Sequence, residues 1–232
     1  MIRLSHVRRQ YGGRGGITDV SVTVPRGSIY VMSGANGAGK TTAISVLAGL
    51  LFGESGTLAW DGASVPIDRF WPRYGLSFVP DAPILDPDLT GWQWLAFVAA
   101  IKGRSAASGE SLAATLDLSP ATLSSPIRLL SFGNQRRVAI WAEMTTAARV
   151  LLMDEPLIGL DPLAIDRFRR AAAAFVEDGR SIVLSTHLLR EAEALATHVG
   201  IIHSGVTIRE GTLDEVREGR SLQDAFLQVV GA

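Results

Sequence analysis

The sequence predicts an α/β fold, a mostly parallel sheet with flanking helices, because three patterns agree. Short apolar runs recur along the chain and alternate with longer stretches of helical periodicity. Each run is apolar at consecutive positions, which indicates a strand that is buried on both faces. The N-terminal third reads instead as antiparallel strands joined by glycine-rich turns, and residues 81–137 interrupt the alternation with helices and loops.

These patterns place the elements as follows. The strands of the parallel sheet are predicted at Ile29–Ser33, Leu76–Val79, Val150–Met153, Ile182–Ser185 and Gly200–His203. Helices are predicted at Thr41–Leu51, Trp92–Ile101, Asn134–Ala147, Leu163–Glu177 and Leu188–Thr197. The antiparallel strands are predicted at Arg3–Val7, Val20–Val24 and Thr57–Trp60, with a turn at Gly12–Gly16. We expect a single domain over residues 1–232, in which residues 1–80 and 138–232 form the core and residues 81–137 form an inserted helical subdomain.

Composition excludes several classes of protein. The chain has 232 residues, of which 47% are hydrophobic and 19% charged, and this excludes a disordered chain. A formal net charge of -1 argues against a protein held to nucleic acid by bulk charge. Because cysteine is absent, a disulfide scaffold, a cysteine–zinc site and a cysteine nucleophile are excluded. With no apolar run near the ~18 residues of a membrane span and no secretory signal pattern, we expect a soluble protein or one that is peripheral through a partner.

A phosphate-binding loop is the most specific motif in the chain. Residues 34–42 match the G-x-x-x-x-G-K-[ST] pattern and stand between a predicted strand and a predicted helix. Glycines let successive backbone N–H groups converge on phosphate oxygens, and the helix adds the positive end of its dipole. We therefore predict a P-loop NTPase core, in which Lys40 reaches the terminal phosphates and the Thr41 hydroxyl binds Mg²⁺. The residues expected to contact ATP here are Gly34, Ala35, Asn36, Gly37, Ala38, Gly39, Lys40, Thr41 and Thr42.

Two carboxylates follow a second buried strand. Val150–Met153 is apolar throughout, and Asp154 and Glu155 come directly after it. In open α/β sheets, ligands bind at the carboxyl ends of the strands. Asp154 is therefore expected to hold Mg²⁺, and Glu155 to orient and polarise a water molecule for attack on the γ-phosphate.

Four further segments complete a constellation. They are Tyr11, the Leu-Ser-Phe-Gly-Asn-Gln-Arg-Arg run at Leu130–Arg137, the Gly-Leu-Asp run at Gly159–Asp161, and the strand-like Ser181–His187. Together with the phosphate loop and the acidic strand end, and in this order, they resemble the nucleotide-binding domain of ABC ATPases. The resemblance covers essentially the whole chain.

The resemblance implies further roles, position by position. Tyr11 would stack on the adenine, and His187 would hold the γ-phosphate and the attacking water. Ser131 and Gly133 lie in the signature motif, and this would contact the γ-phosphate bound to the other subunit. Asp161 would belong to the loop that couples the two sites. The remaining histidines have no metal-ligand spacing and are given no role.

Three positions depart from the family pattern. Asp81 stands where the family usually has a glutamine that touches Mg²⁺ and water and links the site to the membrane partner. It is shorter and negatively charged, and it could still bind Mg²⁺ through water. Phe132 replaces the first signature glycine, so its ring must point away from the nucleotide, and Asn134 replaces the usual signature glutamine. The neighbouring Arg136 and Arg137 are expected to be solvated or structural.

Two segments resemble parts of transporter subunits. Within the insertion Ala82–Gly103, residues Leu89–Leu95 are similar to the segment that docks on the membrane partner. Trp92 and Trp94 in this segment belong either to the core or to an exposed interface, and the sequence leaves both open. Ser221–Leu227 resembles the short tail helix of ABC-2 type export subunits.

We therefore predict the ATP-hydrolysing subunit of an ABC transporter, of exporter type, that uses ATP and Mg²⁺. Glu155 would act as the base while Lys40 and His187 stabilise charge, and the metal would be held by Thr41 and Asp154. Two copies, or one copy and a paralogue, would close head-to-tail around two ATP molecules. They would drive a separate transmembrane subunit from the cytoplasmic face of the membrane, with no nucleic acid. The alternatives are a soluble ABC ATPase, regulatory or associated with nucleic acid or ribosomes, and a domain that binds nucleotide only as a structural switch.

Overall fold

The computed structural model of the chain describes residues 1–12, 15–69, 75–107, 109–147 and 149–231. The strands in these ranges are β1 (Ile2–Gln10), β2 (Gly16–Val24), β3 (Ile29–Ser33), β4 (Ser55–Trp60), β5 (Ala63–Val65), β6 (Leu76–Val79), β7 (Val150–Asp154), β8 (Ser181–Thr186), β9 (His198–His203) and β10 (Val206–Thr212). The helices are α1 (Lys40–Ala48), α2 (Gly91–Lys102), α3 (Gly109–Thr115), α4 (Pro120–Ser124), α5 (Phe132–Thr146), α6 (Pro162–Glu177), α7 (Leu189–Leu195), α8 (Leu213–Arg217) and α9 (Leu222–Val230), with a 3-10 turn at Ile127–Leu129. Residues 13 and 14 of the turn predicted at Gly12–Gly16 lie outside the described residues.

The strands form one mixed sheet in the order β5-β4-β1-β2-β10-β9-β3-β8-β7-β6. From β9 to β6 all neighbours are parallel, which confirms the predicted parallel core. From β5 to β2 all neighbours are antiparallel, as the N-terminal third predicts. β10 runs antiparallel to β9 and meets β2 in a single parallel pair, Val206 with Asp19, so the two halves join at a narrow point.

The central strand β3 is buried on both faces. Ile29 and Val31 pack into the apolar cluster that contains residues of α5 and α6. Tyr30 and Met32 pack into a second cluster, which contains residues of α1 and the antiparallel strands. Because successive side chains of a strand point to opposite faces, the run of consecutive apolar residues is explained by two cores on the two sides of one sheet.

Two helices end earlier than the sequence predicts. α1 ends at Ala48, because Gly49 adopts a left-handed conformation with φ of 75° and caps the last turn. α7 ends at Leu195, because the N–H of Thr197 donates to the carbonyl of Ile29 over 2.9 Å and ties the chain to β3. In both cases a local backbone interaction outweighs a helical pattern that continues in the sequence.

Residues 81–107 and 109–137 form helices joined by loops, as predicted, and the structure shows where the two tryptophans lie. Trp92 is partly buried, and its ring meets that of the fully buried Trp141 edge-on, with the centroids 5.1 Å apart. Trp94 is also partly buried, and its ring lies 5.5 Å from that of Phe97, which is 49% exposed. Trp92 therefore belongs to the core, whereas Trp94 joins the core to an apolar surface.

Candidate functional site

The loop between β3 and α1 contains two glycines at which any side chain would clash with neighbouring backbone atoms. An added Cβ at Gly34 would lie 2.4 Å from a carbonyl oxygen of β9. At Gly39, where φ is +108°, it would lie 2.8 Å from the carbonyl oxygen of Gly16. Both approaches are far below contact distance, so the loop can pack against its neighbours only with glycine at these positions. The backbone of the loop is thereby left exposed toward the cleft at the carboxyl end of β3.

Lys40 is the first residue of α1, and its side chain folds back along this loop. Its ammonium donates to the carbonyl of Gly34 over 2.8 Å and to that of Ala35 over 3.2 Å. It also lies 3.3 Å from Oε1 of Glu155, and its side chain is only 6% exposed. The loop therefore holds a positive charge next to the end of β7.

The carboxylates at the end of β7 are oriented by a hydroxyl from β8. The Ser185 hydroxyl donates to the Asp154 carboxylate and accepts the N–H of Glu155, the latter over 2.9 Å. Glu155 has a φ of +46°, a conformation that a residue with a Cβ adopts only where its surroundings hold it. Ser185 is the last residue of a predicted strand, and nothing in the sequence marks it as a contact of the two carboxylates.

Glu155 is 8% exposed and contacts two other predicted site residues, Lys40 and His187. Its Oε1 lies 3.3 Å from the Lys40 ammonium and 3.1 Å from Nδ1 of His187. Its Oε2 is buried and has no hydrogen-bond partner among the described residues. The topology explains the meeting, because β8 lies between β3 and β7 and delivers His187 between the phosphate loop and the acidic strand end. One carboxylate oxygen is therefore held, and the other remains free to accept.

A cleft of about 420 Å³ opens over this group. Its lining includes loop glycines, two threonines of α1, and four charged or titratable residues. The lining residues are Gly15, Gly16, Asn36, Gly37, Gly39, Lys40, Thr41, Thr42, Asp81, Glu155, Ile158 and His187. Backbone N–H groups, a lysine and a helix N-terminus suit a polyphosphate, and hydroxyl and carboxylate oxygens are the donors that Mg²⁺ prefers. No cluster of three or more metal-ligating side chains occurs in the described ranges.

Asp81 and Arg136 form an unexpected pair at the edge of the cleft. Asp81 follows β6, and its carboxylate lies 3.3 Å from Nη2 of Arg136. The same guanidinium donates to the carbonyl of Glu155 over 2.5 Å and to the carbonyl of Asp81. Arg136 is 2% exposed, so of the two expected alternatives, solvated or structural, the structural one applies to it. Its neighbour Arg137 donates instead to the carbonyls of Leu116 and Asp117, each over 3.2 Å.

The signature segment begins α5 and lies outside the cleft. The Ser131 hydroxyl caps the helix by accepting the N–H of Asn134 over 3.3 Å. The Phe132 ring is exposed and packs over Gly159, where an added Cβ would lie 3.2 Å from the ring. In the part of the chain that the structure describes, neither Ser131 nor Gly133 lines the cleft.

Tyr11 and Asp161 also lie apart from the cleft in the described residues. Tyr11 is partly exposed at the end of β1, and the Arg9 guanidinium stands 5.5 Å from its ring centroid. Asp161 caps α6 by accepting the N–H of Ala164 over 2.9 Å, and this bond holds the pKa of its carboxyl below the ordinary value. Of the predicted residues, the structure therefore brings together the phosphate loop, Asp81, Glu155 and His187 at the cleft. Asp154 lies next to Glu155 but is not part of the described lining, and the signature, Tyr11 and Asp161 lie outside it.

A strand, a glycine loop and a helix whose lysine faces a carboxylate at the end of a nearby parallel strand define a P-loop nucleotide-binding protein. The family model described as ABC transporter matches residues 17–158. The chain belongs to the ABC transporter family, and it is an ATP-binding ATPase of that family.

Several curated relatives resemble the chain over most of its length. It is 30% identical to the lantibiotic transport ATP-binding protein SrtF of Streptococcus pyogenes, with 92% of each chain covered. It is 31% identical to the Nod factor export ATP-binding protein I of Ralstonia nicotianae, covering 93% of this chain and 68% of that one. It is 30% identical to the daunorubicin resistance ATP-binding protein DrrA3 of Streptomyces coeruleorubidus, covering 93% and 69%.

Solved structures agree on the fold. An ATP-binding subunit of an ABC transporter superposes with a TM-score of 0.86 at 28% identity, covering 99% of each chain. A dimeric, post-hydrolysis ATP-binding cassette bound to ADP and Pi superposes with a TM-score of 0.79 at 22% identity, covering 92% of this chain and 99% of that one. Among the helices within the described ranges, none has both the length and the apolarity needed to cross a bilayer.

Proposed function

We propose that the chain is the ATP-hydrolysing subunit of an ABC exporter, which works as a head-to-tail dimer and drives a separate transmembrane subunit. The observation that carries the proposal is the placement of Glu155, which lies between Lys40 and His187 in the cleft and has one buried carboxylate oxygen with no hydrogen-bond partner in the described part of the chain. The names of the relatives, which concern lantibiotic transport, Nod factor export and daunorubicin resistance, support the exporter type.

In this proposal the cleft binds the phosphates of ATP. Backbone N–H groups of residues 34–42, including those at the start of α1, would donate to the phosphate oxygens, and the Lys40 ammonium would move from loop carbonyls to the terminal phosphates. Thr41 and Asp154 would hold Mg²⁺, with Asp81 a further candidate. When bound, the metal would neutralise charge on the phosphates.

Glu155 would take a proton from the attacking water at its free carboxylate oxygen. His187 would hold the γ-phosphate and orient that water, and Lys40 would stabilise the charge that develops on the phosphate. The positive φ of Glu155 and the Ser185 bond to its N–H support this role, because they hold the base in place before the reaction.

The dimer is supported by the position of the signature. Ser131 and Gly133 stand outside the cleft of their own chain at the N-terminus of a 15-residue helix, where the helix dipole favours an anion. We assign them to the γ-phosphate bound by the other subunit. Tyr11 would stack on the adenine, and Asp161 would lie in the segment that couples the two sites.

The transmembrane subunit is assigned to a recess beside residues 80–85. This recess has a volume of about 260 Å³ and is lined by Phe78, Val79, Pro80, Pro83, Ile84, Leu85, Trp94, Ala139 and Glu143. Ile84 is 91% exposed, and Phe97 and Ile101 add exposed apolar surface on α2. Such a cluster suits an interface with another protein. The exposed residues Ile84, Phe97 and Ile101 belong to residues 81–137, which we assign to the helical subdomain, and the recess is also lined by residues of the assigned core, 1–80 and 138–232. The chain would act at the cytoplasmic face of the membrane, with no nucleic acid.

The first test replaces the base. Glu155→Gln should lower ATP turnover by about 100-fold or more, because the glutamine amide cannot accept the proton. The same variant should form a dimer in ATP and Mg²⁺, measured by light scattering, because bound ATP is no longer consumed. A variant that turns over at the wild-type rate would show that Glu155 is not the base.

The second test concerns the membrane partner. The tagged protein is recovered from detergent-solubilised membranes of its own host, and co-purifying proteins are identified by mass spectrometry. A stoichiometric polytopic membrane protein is expected, and Ile84→Asp should release it without lowering the basal turnover. Recovery from the soluble fraction alone, or with nucleic acid, would favour a soluble ABC ATPase instead.

A further inference from the structure

Arg136 is a buried cation that contacts the backbone carbonyl of Glu155 and lies next to the proposed catalytic group. It stands early in α5 with a side chain that is 2% exposed. Nη1 donates to the Glu155 carbonyl over 2.5 Å, and Nη2 donates to the Asp81 carbonyl and, over 3.3 Å, to the Asp81 carboxylate. Cζ lies 5.1 Å from the centroid of the Phe132 ring. Taking a guanidinium out of water is costly, and its rigid planar donors impose directions on the groups that accept from it.

Together with Ser185, this guanidinium fixes the backbone of Glu155 from both sides. The N–H of Glu155 donates to the Ser185 hydroxyl over 2.9 Å, and its carbonyl accepts from Arg136. Because the peptide groups on both sides of Glu155 are held and its φ is +46°, the direction of its Cα–Cβ bond is fixed. That direction carries the carboxylate to within 3.3 Å of the Lys40 ammonium and 3.1 Å of Nδ1 of His187.

The Arg136 guanidinium also holds Asp81, the start of the segment that lines the recess. Asp81 follows β6, which is the parallel neighbour of β7, so Asp81 and Glu155 leave adjacent strand ends. The residues immediately after Asp81 include Pro83, Ile84 and Leu85, which line the recess. Among the described residues, Arg136 is therefore a direct link between the backbone of Glu155 and the segment that lines the recess.

We propose that Arg136 is a positioning residue for ATP hydrolysis. It sets the direction of the Glu155 carboxylate, and it couples that direction to the position of the segment beginning at Asp81. The proposal rests on the function assigned above to Glu155 and to the recess. It assigns Arg136 no contact with the nucleotide. Its loss should therefore slow the chemical step and leave the binding of ATP nearly unchanged.

The experiment compares Arg136→Gln and Arg136→Lys with Arg137→Gln as the matched control, each in the full chain. Arg137 is the next residue of α5 and also donates to two carbonyls, but in the loop at Leu116 and Asp117, away from the cleft. Steady-state ATP turnover gives kcat and KM, and circular dichroism shows that each variant is folded at the assay temperature. We expect Arg136→Gln to lower kcat about tenfold to 100-fold with KM within about threefold, because a small misplacement of a catalytic group costs that much.

Arg136→Lys should recover part of kcat, because an ammonium can reach one of the carbonyls although it cannot hold both. If Arg136→Gln changes kcat no more than Arg137→Gln, or raises KM in proportion to the loss of kcat, the positioning role is wrong. Should Arg136→Gln fail to fold, the kcat of Arg136→Lys against Arg137→Lys decides the question by the same criterion. An inactive Glu155→Gln together with an unaffected Arg136→Gln would overturn this proposal and leave the function of the chain in place.

A double-mutant cycle tests the link to Asp81. Asp81→Ala removes the carboxylate and keeps the carbonyl that accepts from Arg136. If Asp81 acts on Glu155 through Arg136, Asp81→Ala should lower kcat in the wild-type background and add little to Arg136→Gln. Losses that multiply in the double variant would show that Asp81 acts independently, as a direct ligand of Mg²⁺ would, and would remove the transmission step from the proposal.

Discussion

Lys40 and Lys102 are the two lysines of the chain, and they occupy two regions with similar contacts and different surroundings. Lys40 contacts two loop carbonyls and, over 3.3 Å, a Glu155 oxygen that it shares with His187. Lys102 ends α2 and contacts the carboxylate of Glu143 and two hydroxyls, one from β6 and one from α5. Each ammonium therefore has three acceptors, one of them a carboxylate, so a count of contacts does not separate their roles.

Their surroundings do separate them. Lys40 lines the nucleotide cleft, and its carbonyl acceptors belong to a glycine loop whose N–H groups can take a phosphate. Lys102 lies in the seam between α2, β6 and α5, and its partner Glu143 lines the recess. A phosphate can replace the contacts of the first lysine, whereas the side-chain acceptors of the second are fixed in packed elements. We infer that Lys40 is held ready for a ligand and that Lys102 holds two helices against the sheet.

The largest expected effect comes from Lys40→Met. Without the ammonium, the charge that develops on the transferred phosphate has lost a fixed donor, and turnover should fall by about 100-fold to 1,000-fold. Binding of ATP, measured by calorimetry, should weaken strongly. Turnover above a tenth of the wild-type value would break the comparison, because Lys40 would then be a structural residue like Lys102.

Lys102→Met should show the opposite pattern. It leaves the partly buried Glu143 carboxylate without its cation, and we expect a loss of about 2 kcal/mol in the free energy of unfolding, since the pair is neither fully buried nor exposed. Urea unfolding measures this loss, and kcat in the folded protein should stay within about twofold of the wild type. Adding Glu143→Gln should restore part of the stability, because the uncompensated charge is gone. A fall in kcat without a fall in stability would place Lys102 in the catalytic machinery instead.

The sequence predicts these two regions unequally, for a physical reason. The phosphate loop is local, because strand, glycines, lysine and helix follow one another within residues 29–48, and the pattern alone predicts the geometry. The parallel strands are predicted because burial on both faces makes consecutive positions apolar. The end of α1 at Gly49 also carries a signal, since glycine after the last turn is a common helix terminator, although the helical pattern continues past it.

The contacts of Arg136 and Ser185 could not be predicted in the same way. Arg136 reaches Asp81 and Glu155 across three separate elements, and nothing in the sequence near Arg136 distinguishes it from the neighbouring Arg137, which faces another loop. An arginine is usually solvated, so its burial follows only from the way α5 packs against the ends of β6 and β7. The departures at Asp81 and Phe132 are visible in the sequence, but that both touch one guanidinium is visible only in the structure.

Asp161 should give the smallest effect, because its carboxylate is exposed and is bound mainly by backbone N–H groups. It adds an exposed charge to the comparison of the two lysines. The Ala164 N–H keeps the pKa of this carboxyl below its ordinary value of 3.8. A carboxyl with a lowered pKa in the folded state stabilises the protein above that ordinary value, and the contribution is lost as the pH falls through the folded-state pKa. Asp161→Asn keeps a cap oxygen and removes the titration, since asparagine caps helices about as well as aspartate. The wild type should therefore unfold at a slightly higher temperature than Asp161→Asn at neutral pH, and the difference should shrink as the pH falls below the ordinary pKa and through the lower folded-state pKa. A difference that does not change with pH would mean that the cap acts through geometry alone, and that charge matters for stability here only in partly buried pairs such as that of Lys102 and Glu143.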